Sequence, residues 1–152
     1  NNMELSLLIM DLDNFKTIND TFGHAAGDEV IRELGSIIMD SFRKTDISGR
    51  IGGEEFAVVL KNTSLEEAKM AAEKFREIVA RRKVIYGGHE ISLTISIGVA
   101  ALRGSTKDIS NIGDILNMAD DALYKAKDQG RNCVVTLEPG MQDEDTGTLS
   151  HN

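Results

Sequence analysis

The first half of the chain alternates between continuous apolar runs and amphipathic stretches. Leu5 to Met10 is apolar at every position but Ser6, which is typical of a strand covered on both faces. Asp13 to Phe22 predicts a short helix or a helical loop. After Gly27, apolar residues recur at helical spacing through Ile38 and predict a longer helix. The chain is therefore expected to begin as strand, helix, helix.

Two further apolar runs lie close together and predict a β-hairpin. The first is a short strand ending at Ile51, and the second extends from Phe56 to Leu60. Gly52-Gly53 separates them, as a tight turn between paired strands requires. The turn presents two acidic side chains, Glu54 and Glu55, at the tip of the hairpin.

A third helix and a long strand are predicted next. Ser64 and Glu67 have the spacing of a capping box at a helix start, and helical periodicity continues to about Arg82. Gly87-Gly88 predicts another turn. Residues 91–99 then alternate between apolar and small or polar side chains, which predicts one long, half-buried strand.

The last predicted elements are a helix and a strand, and they complete the fold prediction. Apolar spacing over Ile112 to Ala126 predicts the helix, Gly130 is a candidate for its C-cap, and Cys133 to Leu137 predicts the strand. This order indicates an α/β domain over residues 1–137, with a mixed central sheet of about five strands and helices on both faces. Residues 138–152 are polar and acidic, and we expect a disordered tail.

Composition narrows the class of protein. The 152 residues carry 17 basic and 25 acidic side chains, a net charge of −8, which is the wrong sign for binding a nucleic-acid backbone. The apolar runs are too short to cross a bilayer, so no membrane contact by this chain is expected. The one cysteine, Cys133, forms no internal disulfide, which suits a cytoplasmic location.

Several familiar sites for metals and phosphates are absent from the sequence. There is no Gly-Lys pair for a Walker phosphate loop and no GxGxxG. Asp11 and Asp13 do not begin a calcium loop, because the later ligand positions hold Phe15, Lys16 and Phe22. Three histidines and one cysteine without HExxH spacing do not favour zinc. Carboxylates therefore remain the candidate functional groups.

Asp11 ends the first strand and Glu54 lies at the hairpin tip. If a strand of the hairpin pairs with the first strand, the two carboxylates converge, which is how proteins hold Mg²⁺ that also binds substrate phosphates. The alternative is that both are solvated turn residues, and spacing alone favours that alternative.

Three separated segments resemble the GGDEF family of diguanylate cyclases. They are DLDNFKTINDTFGHAAGDEV (Asp11 to Val30), RKTDISGRIGGEEF (Arg43 to Phe56) and ADDALYKAKDQGRN (Ala119 to Asn132). The resemblance implies a fold related to the palm of nucleotidyl cyclases. It also implies condensation of two GTP molecules into cyclic di-GMP and two pyrophosphates, with Mg²⁺ or Mn²⁺ as cofactor.

The resemblance assigns metal and catalytic roles to specific residues. It places Asp11, the backbone carbonyl of Leu12 and Glu54 on the metal ions. Glu54 would also accept the proton of the attacking 3′-hydroxyl, whose pKa metal coordination lowers. Lys16 matches a cationic position that contacts the phosphates, and Gly53 would let the backbone approach the nucleotide.

Base and phosphate contacts follow from the same resemblance. Asn19 and Asp28 match the guanine-reading positions, with His24 lining the pocket, although Asn19 and Asp28 also suit helix ends. Guanine offers donors to a carboxylate and an acceptor to an amide NH₂, so this pair is chemically sensible. The remaining phosphate contacts would come from the backbone N–H groups of Asn14 and Phe15 and from two side chains near the end of the last helix, Lys127 and Arg131.

Arg43 and Asp46 reproduce an RxxD element that, in this family, binds the product and inhibits the enzyme. The alternative is an ordinary ion pair between residues three apart, worth about 0.2–0.5 kcal/mol. The family reaction implies a homodimer, because each domain holds one GTP. A catalytically silent module that binds GTP or cyclic di-GMP is the competing function.

The chain begins only a few residues before its first strand, so it lacks the helix that usually precedes that strand in the family. We therefore expect a fragment of a larger signalling protein, fused to a sensor domain and tethered to a membrane, if at all, through other domains.

Overall fold

A computed structural model describes residues 2–105 and 112–137. The central sheet has five strands in the order β2-β3-β1-β6-β7, and β4 and β5 form a separate two-stranded sheet. The strands are β1 (Asn2–Leu12), β2 (Ile47–Gly52), β3 (Glu55–Lys61), β4 (Lys83–Tyr86), β5 (His89–Ser92), β6 (Ile95–Ser105) and β7 (Val134–Leu137). The helices are α1 (Phe15–Phe22), α2 (His24–Ser41), α3 (Leu65–Arg81) and α4 (Ile112–Asp128).

Strand β1 is the middle strand of the sheet and is covered on both faces. It is antiparallel to β3 and β6, whereas β6 and β7 are parallel. Leu8 and Met10 belong to a core shared with α1, α2 and α3, and Leu7 and Ile9 belong to a second core under α4. The mixed five-stranded sheet with helices on both faces is thus confirmed. Leu7 to Met10 and Leu12 are all buried, because successive side chains point to opposite faces and both faces are covered.

Gly98 of β6 allows α4 to pack unusually close to the sheet. A Cβ atom at this position would lie 2.3 Å from both the Ala119 carbonyl oxygen and the Leu123 backbone nitrogen. Any other residue would push the helix away from the strand. The close packing brings the C-terminal end of α4 over the end of β1.

Four expectations from the sequence are wrong. Residues 91–99 are not one strand, because β5 ends at Ser92 and β6 begins at Ile95 in a different sheet. Residues 95–100 are all buried, since helices cover both faces of β6. Helix α2 begins at His24 rather than after Gly27, and Leu116, at an apolar position of α4, is 44% exposed.

Other local expectations are confirmed. Ser64 and Glu67 form the capping box of α3, with both reciprocal hydrogen bonds present. The hairpin turn lies between β2 and β3, and β3 pairs with β1. Within the described ranges, no helix is both long and apolar enough to cross a membrane. The tail predicted for residues 138–152 lies outside the described residues.

Candidate functional site

Asp11 lies near the end of β1 and has one carboxylate oxygen without a partner. It is directly opposite Glu55 on β3 and is 7% exposed. Its Oδ2 atom accepts a hydrogen bond from Lys127 Nζ of α4. Its Oδ1 atom is buried and has no hydrogen-bond partner among the described residues. A buried acceptor left in this state is costly, so it indicates a place where a further group binds.

A hydrogen bond from β1 fixes the hairpin tip next to Asp11, and another within the hairpin holds the turn. The backbone nitrogen of Leu12 donates to the Glu54 carbonyl oxygen at 3.2 Å. Arg50 Nε donates to the Gly53 carbonyl oxygen at 2.7 Å, and Gly53 has a φ of 42°, which glycine adopts without a steric penalty. The half-buried Glu54 is therefore presented from a turn that is tied directly to β1.

Negative charge is concentrated around this point. Burial raises the pKa of Glu55, and the charges of Asp11, Asp120 and Glu54 raise this pKa further, while Lys127 opposes the rise. A concentration of carboxylates that raises the pKa of one of them is a common arrangement where a cation is to be bound. Glu55, opposite Asp11 on β3, thus belongs to the same group of acidic side chains.

The residues present suit a divalent ion that also binds substrate oxygens. Asp11, the Leu12 carbonyl and Glu54 offer hard oxygen ligands, and the unpartnered Asp11 Oδ1 supplies a free acceptor. In the described part of the chain, no three His, Cys, Asp or Glu side chains are grouped as a complete metal cage. This donor set fits Mg²⁺, which commonly takes one or two carboxylates together with phosphates and waters.

The three residues assigned to guanine are brought together around the start of α2. A Cβ atom on Gly27 would lie 1.8 Å from Asn19 Oδ1, so the Asn19 carboxamide occupies the space that a side chain at position 27 would need. Asp28 follows directly, and both Asp28 and His24 are exposed on the first two turns of α2. The Asn19 carboxamide thus lies against the backbone of α2 at the residue before the exposed Asp28.

The start of α1 lies immediately after Asp11, and its first residues have the expected placement. Asn14 precedes the helix in a left-handed conformation with a φ of 57°, and Phe15 is the first helical residue. The first amides of a helix have no partner within the helix, so they can bind an anion. Lys16 is different, because its Nζ atom is 3.3 Å from Asp20 Oδ2 and its side chain is 90% exposed. Lys16 makes no recorded contact with Asp11 or Glu54 in the described structure.

Arg131, another side chain predicted to bind phosphate, lies in a turn after α4. Arg131 is exposed and has a φ of 66°, and Asn132 has a φ of 47°. The backbone nitrogen of Asn132 donates to Asp13 Oδ2 at 2.9 Å. From the sequence, Asp13 was considered only as part of a rejected calcium loop, and this link was not predicted.

Arg43 and Asp46 lie in the loop between α2 and β2, where they form a salt bridge with each other. Arg43 Nη2 is 2.9 Å from Asp46 Oδ1, and the Asp46 side chain is only 2% exposed. The hydrogen bond to Asp46 raises the pKa of Arg43. The same Arg43 Nη2 donates to Thr63 Oγ1 at 2.8 Å and to the Lys61 carbonyl oxygen at 3.1 Å. A cavity of about 250 Å³ lies beside this pair, with Glu67 on its wall.

Comparisons with known proteins agree with the resemblance. The family described as "Diguanylate cyclase, GGDEF domain" matches residues 1–133. Diguanylate cyclase A of Treponema denticola is 46% identical over 130 residues, which cover 86% of this chain and 34% of that protein. The chain therefore spans about a third of the length of this curated relative.

Solved structures agree as well. The GGDEF domain of DgcB from Caulobacter crescentus in complex with c-di-GMP has a TM-score of 0.80 at 31% identity, covering 88% of this chain and 78% of that one. The active GGEEF domain of a diguanylate cyclase from Vibrio cholerae has a TM-score of 0.78 at 39% identity, covering 88% and 82%. Because the family match covers most of the chain and the fold agrees, this chain belongs to the GGDEF family, the diguanylate cyclase domain.

Proposed function

We propose that this domain condenses two GTP molecules into cyclic di-GMP and two pyrophosphates. The observation that carries the proposal is the buried, unpartnered Oδ1 of Asp11 beside the hairpin tip that presents Glu54. An unpaired buried acceptor is explained by a ligand that supplies its partner, and a metal ion shared with Glu54 would be such a ligand. The family membership of the chain supports the same reaction.

A divalent ion, Mg²⁺ or Mn²⁺, held by Asp11, the Leu12 carbonyl and Glu54 would lower the pKa of the 3′-hydroxyl and offset phosphate charge. Glu54 accepts the proton of that hydroxyl. The 3′-oxygen then bonds to the α-phosphorus of the second GTP, and the bond from that phosphorus to the pyrophosphate oxygen breaks. The same exchange in the opposite direction closes the ring.

Binding of GTP is divided between two ends of the site. Asp28 accepts from the guanine N1–H and N2–H groups, the Asn19 amide donates to O6, and His24 lines the same pocket. At the other end, Lys127, Arg131 and the first amides of α1 bind phosphate oxygens. Lys16 contributes there once it leaves Asp20, a step that costs little because exposed ion pairs are weak.

Each domain binds one GTP, so turnover requires two domains that face each other. The reacting atoms are aligned only in that homodimer, which replaces a random encounter by an oriented one. Cyclic di-GMP is also an inhibitor in this proposal, bound by the exposed edge of Arg43 beside Asp46. If Arg43→Ala leaves the affinity for cyclic di-GMP unchanged, the inhibitory site is not there.

The test is the formation of cyclic di-GMP from GTP and Mg²⁺ at increasing protein concentration. We expect the rate per domain to rise with concentration, because the active species is a dimer. Glu54→Gln should fold with an unchanged melting temperature and lose turnover by about 10²–10⁴-fold, the contribution of a general base. Binding of GTP without any product, at every concentration, would instead indicate the catalytically silent module.

A further inference from the structure

We propose that Asp13 is a positioning residue, whose buried carboxylate fixes the turn Gly130–Asn132 and thereby holds Arg131 at the phosphate end of the site. The role of this turn in nucleotide binding rests on the function proposed above. The hydrogen bonds of the Asp13 carboxylate are observed independently of that function.

The Asp13 carboxylate is fully used by the protein itself. It is 5% exposed, and its Oδ1 atom accepts from Ser96 Oγ at 2.6 Å. Its Oδ2 atom accepts from Thr94 Oγ1 at 2.8 Å and from the backbone nitrogen of Asn132 at 2.9 Å. Three donors from β6, from the residue before it and from the turn after α4 therefore converge on one buried side chain, which leaves it no exposed face toward a nucleotide.

The turn Gly130–Asn132 needs such an anchor because of its backbone. The φ angles of Gly130, Arg131 and Asn132 are 112°, 66° and 47°. Residues other than glycine rarely adopt this region, and they persist there only where the surroundings hold them. The Arg131 nitrogen donates to the Ala126 carbonyl oxygen at 3.0 Å, and Arg76 Nη1 donates to Asn132 Oδ1 at 3.0 Å.

Asp13 also connects this turn to the carboxylate end of the site. It lies two residues after Asp11, and its backbone nitrogen donates to the Thr94 carbonyl oxygen at 3.0 Å. The turn itself begins at the C-terminal end of α4, from which Lys127 reaches Asp11. Asp13 thus fixes the spacing between the proposed metal ligands and Arg131. Loss of the anchor should weaken nucleotide binding more than the chemical step.

Replacement by Asn and by Ala separates positioning from a direct role. The Asn carboxamide oxygen can still accept from the Asn132 nitrogen, and its NH₂ group can donate to Ser96 Oγ, because a hydroxyl both donates and accepts. Ala retains none of these bonds. A metal ligand or a general base would behave differently, because Asn is as unsuitable as Ala for either role.

The experiment compares the wild type, Asp13→Ala and Asp13→Asn by two readouts. Amide hydrogen exchange at residues 131–133 reports the turn, and calorimetry with a non-hydrolysable GTP analogue and Mg²⁺ reports binding. In Asp13→Ala we expect exchange at Asn132 to rise and analogue affinity to fall, each about tenfold or more, as loss of a hydrogen bond to a charged acceptor implies. Asp13→Asn should lose clearly less in both, and KM should change more than kcat.

Two results would overturn the proposal. One is unchanged exchange at residues 131–133 in Asp13→Ala, and the other is an equal loss of analogue binding in Asp13→Asn and Asp13→Ala. If Asp13→Ala does not fold, the double variant Thr94→Val and Ser96→Ala replaces it. That variant removes two donors that orient the carboxylate, and unchanged exchange at Asn132 would then count against the proposal. A wild type that binds no analogue contradicts the proposed function alone, while the exchange data still decide the role of Asp13.

Discussion

Two buried carboxylates of this domain lie beside a cation, but they are satisfied to different degrees. Asp46 accepts three hydrogen bonds from Arg43 alone, from its backbone nitrogen at 2.9 Å, from Nε at 3.1 Å and from Nη2 at 2.9 Å. Asp11 contacts Lys127 through Oδ2, while its Oδ1 has no partner in the described structure. Both side chains are almost fully buried.

The difference separates a carboxylate whose hydrogen bonds the protein itself completes from one that leaves an acceptor for a ligand. Asp46 closes the loop before β2 by hydrogen bonds within the protein. Removal of its carboxylate should therefore lower the free energy of unfolding. Asp11 carries an unpaired acceptor that costs about 1–3 kcal/mol in the free protein, and a site of this kind is explained by a ligand that supplies the missing partner. Removal of the Asp11 carboxylate should therefore lower the rate of turnover.

The largest effect is expected for Asp11→Asn. Turnover should fall by at least about a hundredfold, because the site loses a charged ligand worth several kcal/mol of charge stabilisation. The melting temperature should change little, because the Asn carboxamide oxygen can still accept from Lys127 while the charge on the unpartnered oxygen is removed. Cyclic di-GMP formation and thermal unfolding measure the two quantities. A variant that is both active and strongly destabilised would reverse the comparison.

Asp46→Ala should show the opposite pattern and lose stability. Its three hydrogen bonds to a partly exposed arginine imply a loss of about 2 kcal/mol in the free energy of unfolding. Urea denaturation measures this loss. Lys44→Ala, an exposed position in the same loop, is the matched control and should change the free energy of unfolding by less than about 0.5 kcal/mol. Equal stabilities of the two variants would mean that the Arg43–Asp46 pair stabilises nothing.

Gly27→Ala extends the comparison to the base pocket. The new Cβ atom would collide with Asn19 Oδ1, which lies 1.8 Å from its position, and displace the carboxamide. We expect KM for GTP to rise about tenfold, the value of one hydrogen bond to the base, with little change in stability. Gly35→Ala on the same helix has no atom within 4 Å of its Cβ and is the control. It should raise stability by about 0.5–1 kcal/mol and leave KM unchanged. An equal KM in both variants would show that Asn19 does not read the base.

The smallest effect concerns Glu67, which lies on the wall of the cavity beside Arg43. Its hydrogen bonds with Ser64 lower the pKa of Glu67, and Arg43 lowers this pKa further. A carboxyl group with a lowered pKa in the folded state stabilises the fold above its unfolded pKa, and this stabilisation is lost as the pH falls through the folded value. Glu67→Gln should therefore be less stable than the wild type at pH 7. Thermal unfolding should show the gap closing at pH values below about 4.5, the ordinary pKa of Glu. A gap that is independent of pH would exclude an electrostatic origin.

Local patterns in the sequence predicted much of the fold. The apolar run of β1, the Gly52-Gly53 turn and the Ser64–Glu67 capping box depend on neighbouring residues, and all three are confirmed. The break between β5 and β6 could not be predicted from the alternation of apolar and polar residues. Both segments show this alternation, and they differ only in the sheet that each joins. Gly27 was taken as a helix boundary, although it lies within α2 to make room for Asn19.

The sequence predicted the carboxylates of the candidate site but not the contacts that hold them in place. Convergence of the Asp11 and Glu54 segments followed from one assumption about strand pairing, and the β1–β3 pairing confirms that assumption. The partnership of Lys127 with Asp11 spans 116 residues, and that of Asn132 with Asp13 spans 119. Contacts of such separation depend on the packing of α4 against β6 at Gly98 and leave no local pattern in the sequence.

The central claim is that Asp11 and Glu54 share one divalent ion beside a nucleotide triphosphate. A crystal structure of the wild-type domain with Mg²⁺ and a non-hydrolysable GTP analogue tests it most directly. We expect an ion about 2.0–2.1 Å from Asp11 Oδ1, from the Leu12 carbonyl oxygen and from the Glu54 carboxylate, with phosphate oxygens completing its shell. An ion held by phosphates and water alone, with Asp11 Oδ1 still unpartnered, would show that these residues are not its ligands.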